Sequence, residues 1–169
     1  MVKKILMVIA PINYRDEEFE EPKKVFKKKG YEVFVASKGV EQAKGVLGGI
    51  AEVDLEISEV QATNFDAIVF IGGAGASVYL EDKIAWSIAR NAVSNGKILG
   101  AICIAPSILA NAGVLNGKNA TVWPSQQAHL ETNGAKYSDN DVVVDGKIVT
   151  ANGPKSAEKF GKKIVNLLE

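Results

Sequence analysis

The chain has 169 residues, with twenty Lys plus Arg against twenty Asp plus Glu, and so a formal net charge of zero. That length suits one well-packed domain over 1–169, and the charge balance offers no field to draw it to nucleic acid or an anionic membrane. With one cysteine and one histidine, an internal disulfide and a Cys/His zinc site are both excluded, and no metal centre is expected.

The opening "MVKKILMVIA" pairs two lysines with a short apolar run, but the run stops at Pro11 and is followed by "NYRDEEFEE". It lacks a small-residue cleavage pattern, so it reads as the first strand of a cytoplasmic protein and not as a leader. Further β-rich runs follow at "YEVFVAS" (31–37), "FDAIVFIGG" (65–73) and "KILGAIC" (97–103). Between them, "EEPKKVFKKKG" and "DKIAWSIARNAVSNG" carry helical periodicity, with Gly30 and Gly96 where C-terminal caps belong. Strand and helix in alternation imply a mainly parallel sheet covered on both faces.

Between the second and third of these strands, "GVLGGIAEVDLEISEV" alternates apolar and polar residues around glycines, as a small antiparallel excursion would. After the fourth, Pro106 stands at a first-turn position where its missing N–H costs nothing. Late in the chain, "DVVVDGKIVTAN" sets Asp145-Gly146 between two apolar runs and predicts a hairpin with a type I′ turn. The closing "SAEKFGKKIVNLLE" reads as an amphipathic helix, with Ser156 as its N-cap and Ala157, Phe160, Ile164 and Leu167 or Leu168 on one face.

In an open parallel sheet, ligands bind beyond the carboxyl ends of the strands. Cys103 lies there, in "GAICIAPSILANAGVL", where an apolar run turns into a helix start. Two readings stay open on position alone. Free cysteine is among the most buried residue types and could be core filler. A sharp strand-to-helix turn could instead present the thiol as a nucleophile, with Gly100, Ala101 and Ala105 leaving room and a helix N-terminus lowering its pKa.

Three other features have a chemical and a bland reading. The acids of "RDEEFEEP", including Asp16, Glu17, Glu20 and Glu21, suit a solvated helix start favoured by the macrodipole, though one could point inward. In "IGGAG" (71–75), Gly72 and Gly73 could offer N–H groups to an oxyanion or simply make a turn. It lacks the Walker lysine and the dinucleotide spacing of a phosphate loop. His129, in "SQQAHLETNG", falls on a surface helix away from the strand ends and makes a poor catalytic base.

Taken together these segments resemble the PfpI/ThiJ superfamily, of class I glutamine amidotransferase-like proteins. "AICIAPSILANAGVLNGKNATVWP" is similar to its cysteine signature, "FDAIVFIGGAG" to its F-D-x-hydrophobic-G-G segment, "EEFEEP" to its acidic stretch with a proline, and "VVVDGKIVTANGP" to its late hairpin. The matches run in order over nearly the whole chain. The resemblance implies a flavodoxin-like three-layer α/β sandwich with a mainly parallel sheet, no cofactor, and a homodimer or higher homo-oligomer.

It also implies roles for residues. Cys103 becomes the nucleophile and Glu18, four residues before Pro22, the carboxyl group that meets it. Gly73 and Ile104 become the oxyanion N–H donors, and Gly72, Ala74 and Trp123 line the pocket. An ionised carboxylate beside a thiolate would repel it, whereas a protonated one donates a hydrogen bond, so Glu18 should be a buried acid with a raised pKa.

One departure from the family pattern is informative. The intracellular-peptidase branch has Cys-His where this chain has Cys103-Ile104, and "TVWP" places Trp123 where a second histidine is expected. Without an imidazole near the thiol, amide hydrolysis is disfavoured. What remains resembles the branch of the human Parkinson-disease protein, described as cofactor-free glyoxalases or deglycases, oxidative-stress sensors and chaperones. The expected substrate is then a small reactive aldehyde or a glycated compound. A cysteine-based stress sensor or chaperone is the alternative, and a peptidase-like hydrolase a further one.

Overall fold

The computed structural model describes residues 1–169. In chain order the elements are β1 (Lys4–Val8), β2 (Ile12–Tyr14), α1 (Asp16–Lys28), β3 (Glu32–Ser37), β4 (Gln42–Gly45), β5 (Ile50–Glu52), β6 (Leu55–Glu56), β7 (Ala67–Phe70) and α2 (Lys83–Ser94). They continue with β8 (Ile98–Ile102), α3 (Pro106–Asn111), β9 (Asn119–Ala120), α4 (Gln127–Thr132), β10 (Lys136–Tyr137), β11 (Val142–Asp145), β12 (Ile148–Ala151) and α5 (Ala157–Leu168).

Seven strands form the main sheet in the order β11-β12-β8-β7-β1-β3-β6, parallel except where β11 joins β12. The central strands are nearly all apolar because both faces are covered. Alternate residues go to opposite sides: Ile5, Met7, Val69 and Ile102 pack beneath α1 and α5, whereas Leu6, Val8, Ile68, Phe70 and Leu99 pack against α2 and α3. This is the flavodoxin-like three-layer arrangement. Fully buried Phe19, Phe26 and Phe160 each contribute about 2–3 kcal/mol of apolar burial on the α1/α5 side.

Two glycines let the layers close. A methyl group on Gly161 would stand 2.9 Å from Pro22 Cα, where α5 crosses α1. One on Gly100 would stand 3.0 Å from both Phe160 Cζ and Ile164 Cδ1. Gly100 therefore serves the packing of α5 on β8, and not the turn at Cys103 as its place in the sequence suggested.

The expected excursion is present in its first part only, since Leu55–Glu56 instead joins the main sheet parallel to β3. β4 and β5 are antiparallel, and β2 adds to β4 to make a separate three-stranded sheet. Its hairpin is tied to α1 by Asp16, whose carboxylate accepts the N–H groups of Leu47 at 2.7 Å and Gly49 at 2.8 Å. Asp16 is thus a loop clamp and not merely a solvated helix start. Gly30 and Gly96 take positive φ just past α1 and α2, as capping requires.

Two local expectations are corrected. Asp145 pairs with Ile148, so the late hairpin turns on Gly146-Lys147, and of these only Gly146 has positive φ. A type I′ turn needs positive φ at both central residues; glycine at the first alone matches type II′. Ser156 does stand before α5, but its hydroxyl donates to Asn152 Oδ1 at 2.7 Å instead of capping the helix. Ala157, Phe160 and Ile164 are buried on α5 as expected, and Leu167 is exposed. No helix is long and apolar enough to cross a membrane.

Candidate active site

The β8 strand ends at Ile102, and the next residue, Cys103, takes φ +65°. A side chain in this left-handed region costs on the order of 1–2 kcal/mol and persists only where its surroundings over-determine it. Here they do. The Cys103 N–H donates to the Ala151 carbonyl at 2.9 Å, and its own carbonyl accepts the Trp123 N–H at 2.8 Å. The strained turn, followed by Pro106 at the first position of α3, has the form of a nucleophile elbow.

Around the sulfur the sequence folds in three further pieces. From α1 comes Glu18, wholly buried, on the same helix face as Phe19, Pro22 and Phe26. From the turn after β7 comes Gly72, where a methyl group would stand 2.5 Å from Cys103 Cβ and 2.6 Å from Glu18 Oε1. Gly73 follows at φ +99°, and its N–H and that of Ile104 lie near enough to the thiol to favour its anion, although neither stands in hydrogen-bond geometry with the sulfur. Neither of these two N–H groups donates to a backbone carbonyl. They are a ready pair of donors for negative charge.

Cys103 is 8% exposed and Glu18 not at all. Neither carboxyl oxygen has a partner in hydrogen-bond geometry, although the thiol and the Gly72 N–H lie close enough to favour the anion. Burial pushes the Glu18 carboxyl up to about 7 and the Cys103 thiol up to about 12. This corrects the expectation of a thiol made acidic by a helix N-terminus, because desolvation outweighs the donors. The charge on Glu18 also contributes to the rise of the thiol. The two groups therefore titrate as a pair: one proton leaves near neutrality and the second is held far above it.

Residues predicted for the pocket are placed as follows. Trp123 is 44% exposed, its ring lying over Gly153, where a methyl group would stand 3.0 Å from Cζ3. It lines a cleft of about 580 Å³ with Arg15, Glu17, Asn152 and Pro154. Ile104 is half-buried beside Cys103. Ala74 is exposed at the start of the short 3-10 segment Ala74–Tyr79. His129 is elsewhere: its Nε2 lies 2.6 Å from Asn111 Oδ1, in a separate hollow with Lys38 and Asp82.

Sequence reasoning missed Arg15. Its backbone N–H donates to the Gly72 carbonyl at 3.0 Å, and its Nε and Nη2 both donate to the Glu17 carboxylate at 2.9 Å. The signal was present in "RDE", a cation two residues before an acid at the start of a helix.

The DJ-1/PfpI family pattern matches residues 3–167. The chain belongs to the DJ-1/PfpI family. Among its DJ-1/PfpI relatives, the deglycase PH1704 of Pyrococcus horikoshii is 36% identical over 167 residues, covering 98% of this chain and 99% of its own. The crystal structure of a ThiJ/PfpI domain protein from Brachyspira murdochii superposes with TM-score 0.96 at 38% identity, covering 99% of this chain and 96% of that one. Drosophila melanogaster DJ-1beta superposes with TM-score 0.90 at 34% identity, covering 99% and 91%.

Proposed function

We propose that this DJ-1/PfpI protein is a cofactor-independent cysteine enzyme that acts on small reactive aldehydes or glycated compounds, in the manner of a glyoxalase or deglycase. The observation that carries the reading is the meeting of Cys103 with the buried, unpartnered Glu18 at Gly72, with no imidazole at hand. Aldehydes need less activation than amides, so a thiol and one carboxyl group suffice.

With methylglyoxal, the Cys103 sulfur adds to the aldehyde carbon and the thiol proton passes through Glu18 to the carbonyl oxygen, giving a hemithioacetal. The N–H groups of Gly73 and Ile104 stabilise the oxyanion as it forms. Glu18, near its midpoint at neutral pH, then removes the proton from the former aldehyde carbon and returns one to the neighbouring carbon. The resulting thioester is hydrolysed by water to lactate and free thiol. The aldehyde carbon is oxidised and the ketone carbon reduced, so no outside oxidant is required.

A second reading, an oxidative-stress sensor, is supported by the lone cysteine: a sulfenic acid at Cys103 has no internal thiol to resolve it. Assembly as a homo-oligomer in the cytoplasm accompanies the first reading. The oligomer is supported by Ile12, Leu47 and Ile50, which are 60%, 63% and 64% exposed on the small sheet and its hairpin.

The proton shuttle is testable in deuterium oxide. Lactate formed by the wild type should carry solvent deuterium at its second carbon, and Cys103→Ser should form none. Product without deuterium would rule out Glu18 as a solvent-exchanging shuttle.

A further inference from the structure

Residues 12–16 carry the chain from the small sheet into α1, and two segments close on them from opposite sides. One is the turn after β7 that packs against Cys103. The Arg15 N–H donates to the Gly72 carbonyl at 3.0 Å. A methyl group on Gly73 would stand 2.5 Å from the Arg15 nitrogen and 2.6 Å from the Asn13 carbonyl oxygen, and one on Gly75 would overlap the carbonyl oxygen of Ile12. Asn13, between them, takes φ +64°, a left-handed turn that asparagine tolerates. The other segment is the β4–β5 hairpin. The Tyr14 carbonyl accepts the Val46 N–H at 2.9 Å, and the Asp16 carboxylate takes the N–H groups of Leu47 and Gly49, one on each oxygen. A methyl group on Gly45 or on Gly49 would overlap Asp16 Oδ1, so the carboxylate fills its seat.

These bonds bear on Glu18 because the start of α1 lacks the usual anchor. Arg15, at the N-cap position, gives the helix no side-chain bond. An acid in a first turn ordinarily answers the dipole of its own helix, but Asp16 spends both oxygens on another segment. Glu18 follows two residues later, wholly buried, with neither carboxyl oxygen in hydrogen-bond geometry. No bond of its own fixes that side chain. Its place against Cys103 and Gly72 is inherited from the backbone of the first turn and from the packing around it.

We propose that Asp16 is a positioning residue for this site: by clamping the start of α1 to the β4–β5 hairpin, it holds the first helical turn where Glu18 meets the thiol of Cys103. The role rests on the pairing of Cys103 with Glu18 but on no substrate. Asp16 touches neither reacting group, and it acts only through the backbone that carries Glu18.

The test is the product distribution at Cys103 under limited peroxide, read by intact mass. A protonated Glu18 would hold a sulfinate there, so Glu18→Leu, which cannot donate, marks the pattern of a site without its acid. Asp16→Ala should lower the share of the two-oxygen adduct about threefold toward that pattern, a fraction of one charge-assisted hydrogen bond. Asp16→Ala combined with Glu18→Leu should match Glu18→Leu alone, because residues that act through one another are not additive. Gly45→Ala, which displaces the carboxylate from the hairpin side, should repeat the effect of Asp16→Ala and replaces it should that variant fold poorly. Gln42→Ala removes the bond from Gln42 Nε2 to Glu52 within the same hairpin, 2.6 Å long, and should keep the wild-type pattern. Wild-type products in a folded Asp16→Ala or Gly45→Ala, an equal change in Gln42→Ala, or additive effects in the double variant would overturn the proposal. Wild-type products in Glu18→Leu would instead sink the pair itself, and the proposal with it. Aldehyde turnover plays no part in this measurement, so its outcome is independent of the substrate reading.

Discussion

Glu18 Oε1 and Cys103 Cβ come together over the Cα of Gly72, so closely that a single methyl group there would stand 2.6 Å from one and 2.5 Å from the other. The same methyl would lie 2.7 Å from the Ile102 carbonyl oxygen, a backbone atom that cannot swing away. Gly72→Ala should therefore push the pair apart. We expect a loss of about 2–3 kcal/mol in chemical denaturation together with a slowed alkylation of Cys103. Wild-type stability and alkylation in Gly72→Ala would mean that the three residues are less tightly packed than described.

Stability should report the buried acid directly. The folded-state pKa of Glu18, about 7, lies above that of an unfolded glutamate, roughly 4.3. Stability is then fully present below the unfolded value and lost as pH rises through the folded one. From pH 4 to pH 8 the wild type should lose about 3 kcal/mol relative to Glu18→Gln, which has nothing to ionise there. Parallel stability curves for the two proteins would show that Glu18 is not desolvated.

Much of this was legible in the sequence, for identifiable reasons. The four long strands and their helices announced themselves because strands covered on both faces are continuously apolar, and Cys103 stands where such a run ends. Glu18 was harder. Five acids crowd residues 16–21, and only resemblance singled it out, although Phe19, Pro22 and Phe26 already mark the buried face of α1 on which it lies. Gly100 and Ser156 were misread because their partners, Phe160 and Asn152, are set by tertiary packing. The thiol pKa was misjudged because a helix start is visible in a sequence and desolvation is not.

Oxidation should leave a signature of the same pair. A sulfinate at Cys103 would present anionic oxygens to the Gly73 and Ile104 N–H groups and to a protonated Glu18, with charge-assisted bonds of roughly 1.5–3 kcal/mol each. Under limited peroxide, intact-mass spectrometry should show a two-oxygen adduct in the wild type and in Glu18→Gln, which keeps a donor. Glu18→Leu should shift toward sulfenic and sulfonic forms. Identical product distributions in all three would dissociate Glu18 from Cys103.

In the proposed reaction Cys103 turns over an aldehyde and is not merely consumed by one. A time course with excess methylglyoxal, without added thiol, comparing the wild type with Cys103→Ser, tests it most directly. The wild type should form many equivalents of lactate per chain, while Cys103→Ser should form only the uncatalysed background. Loss of methylglyoxal that stops after one equivalent, or equal rates in the two proteins, would contradict it.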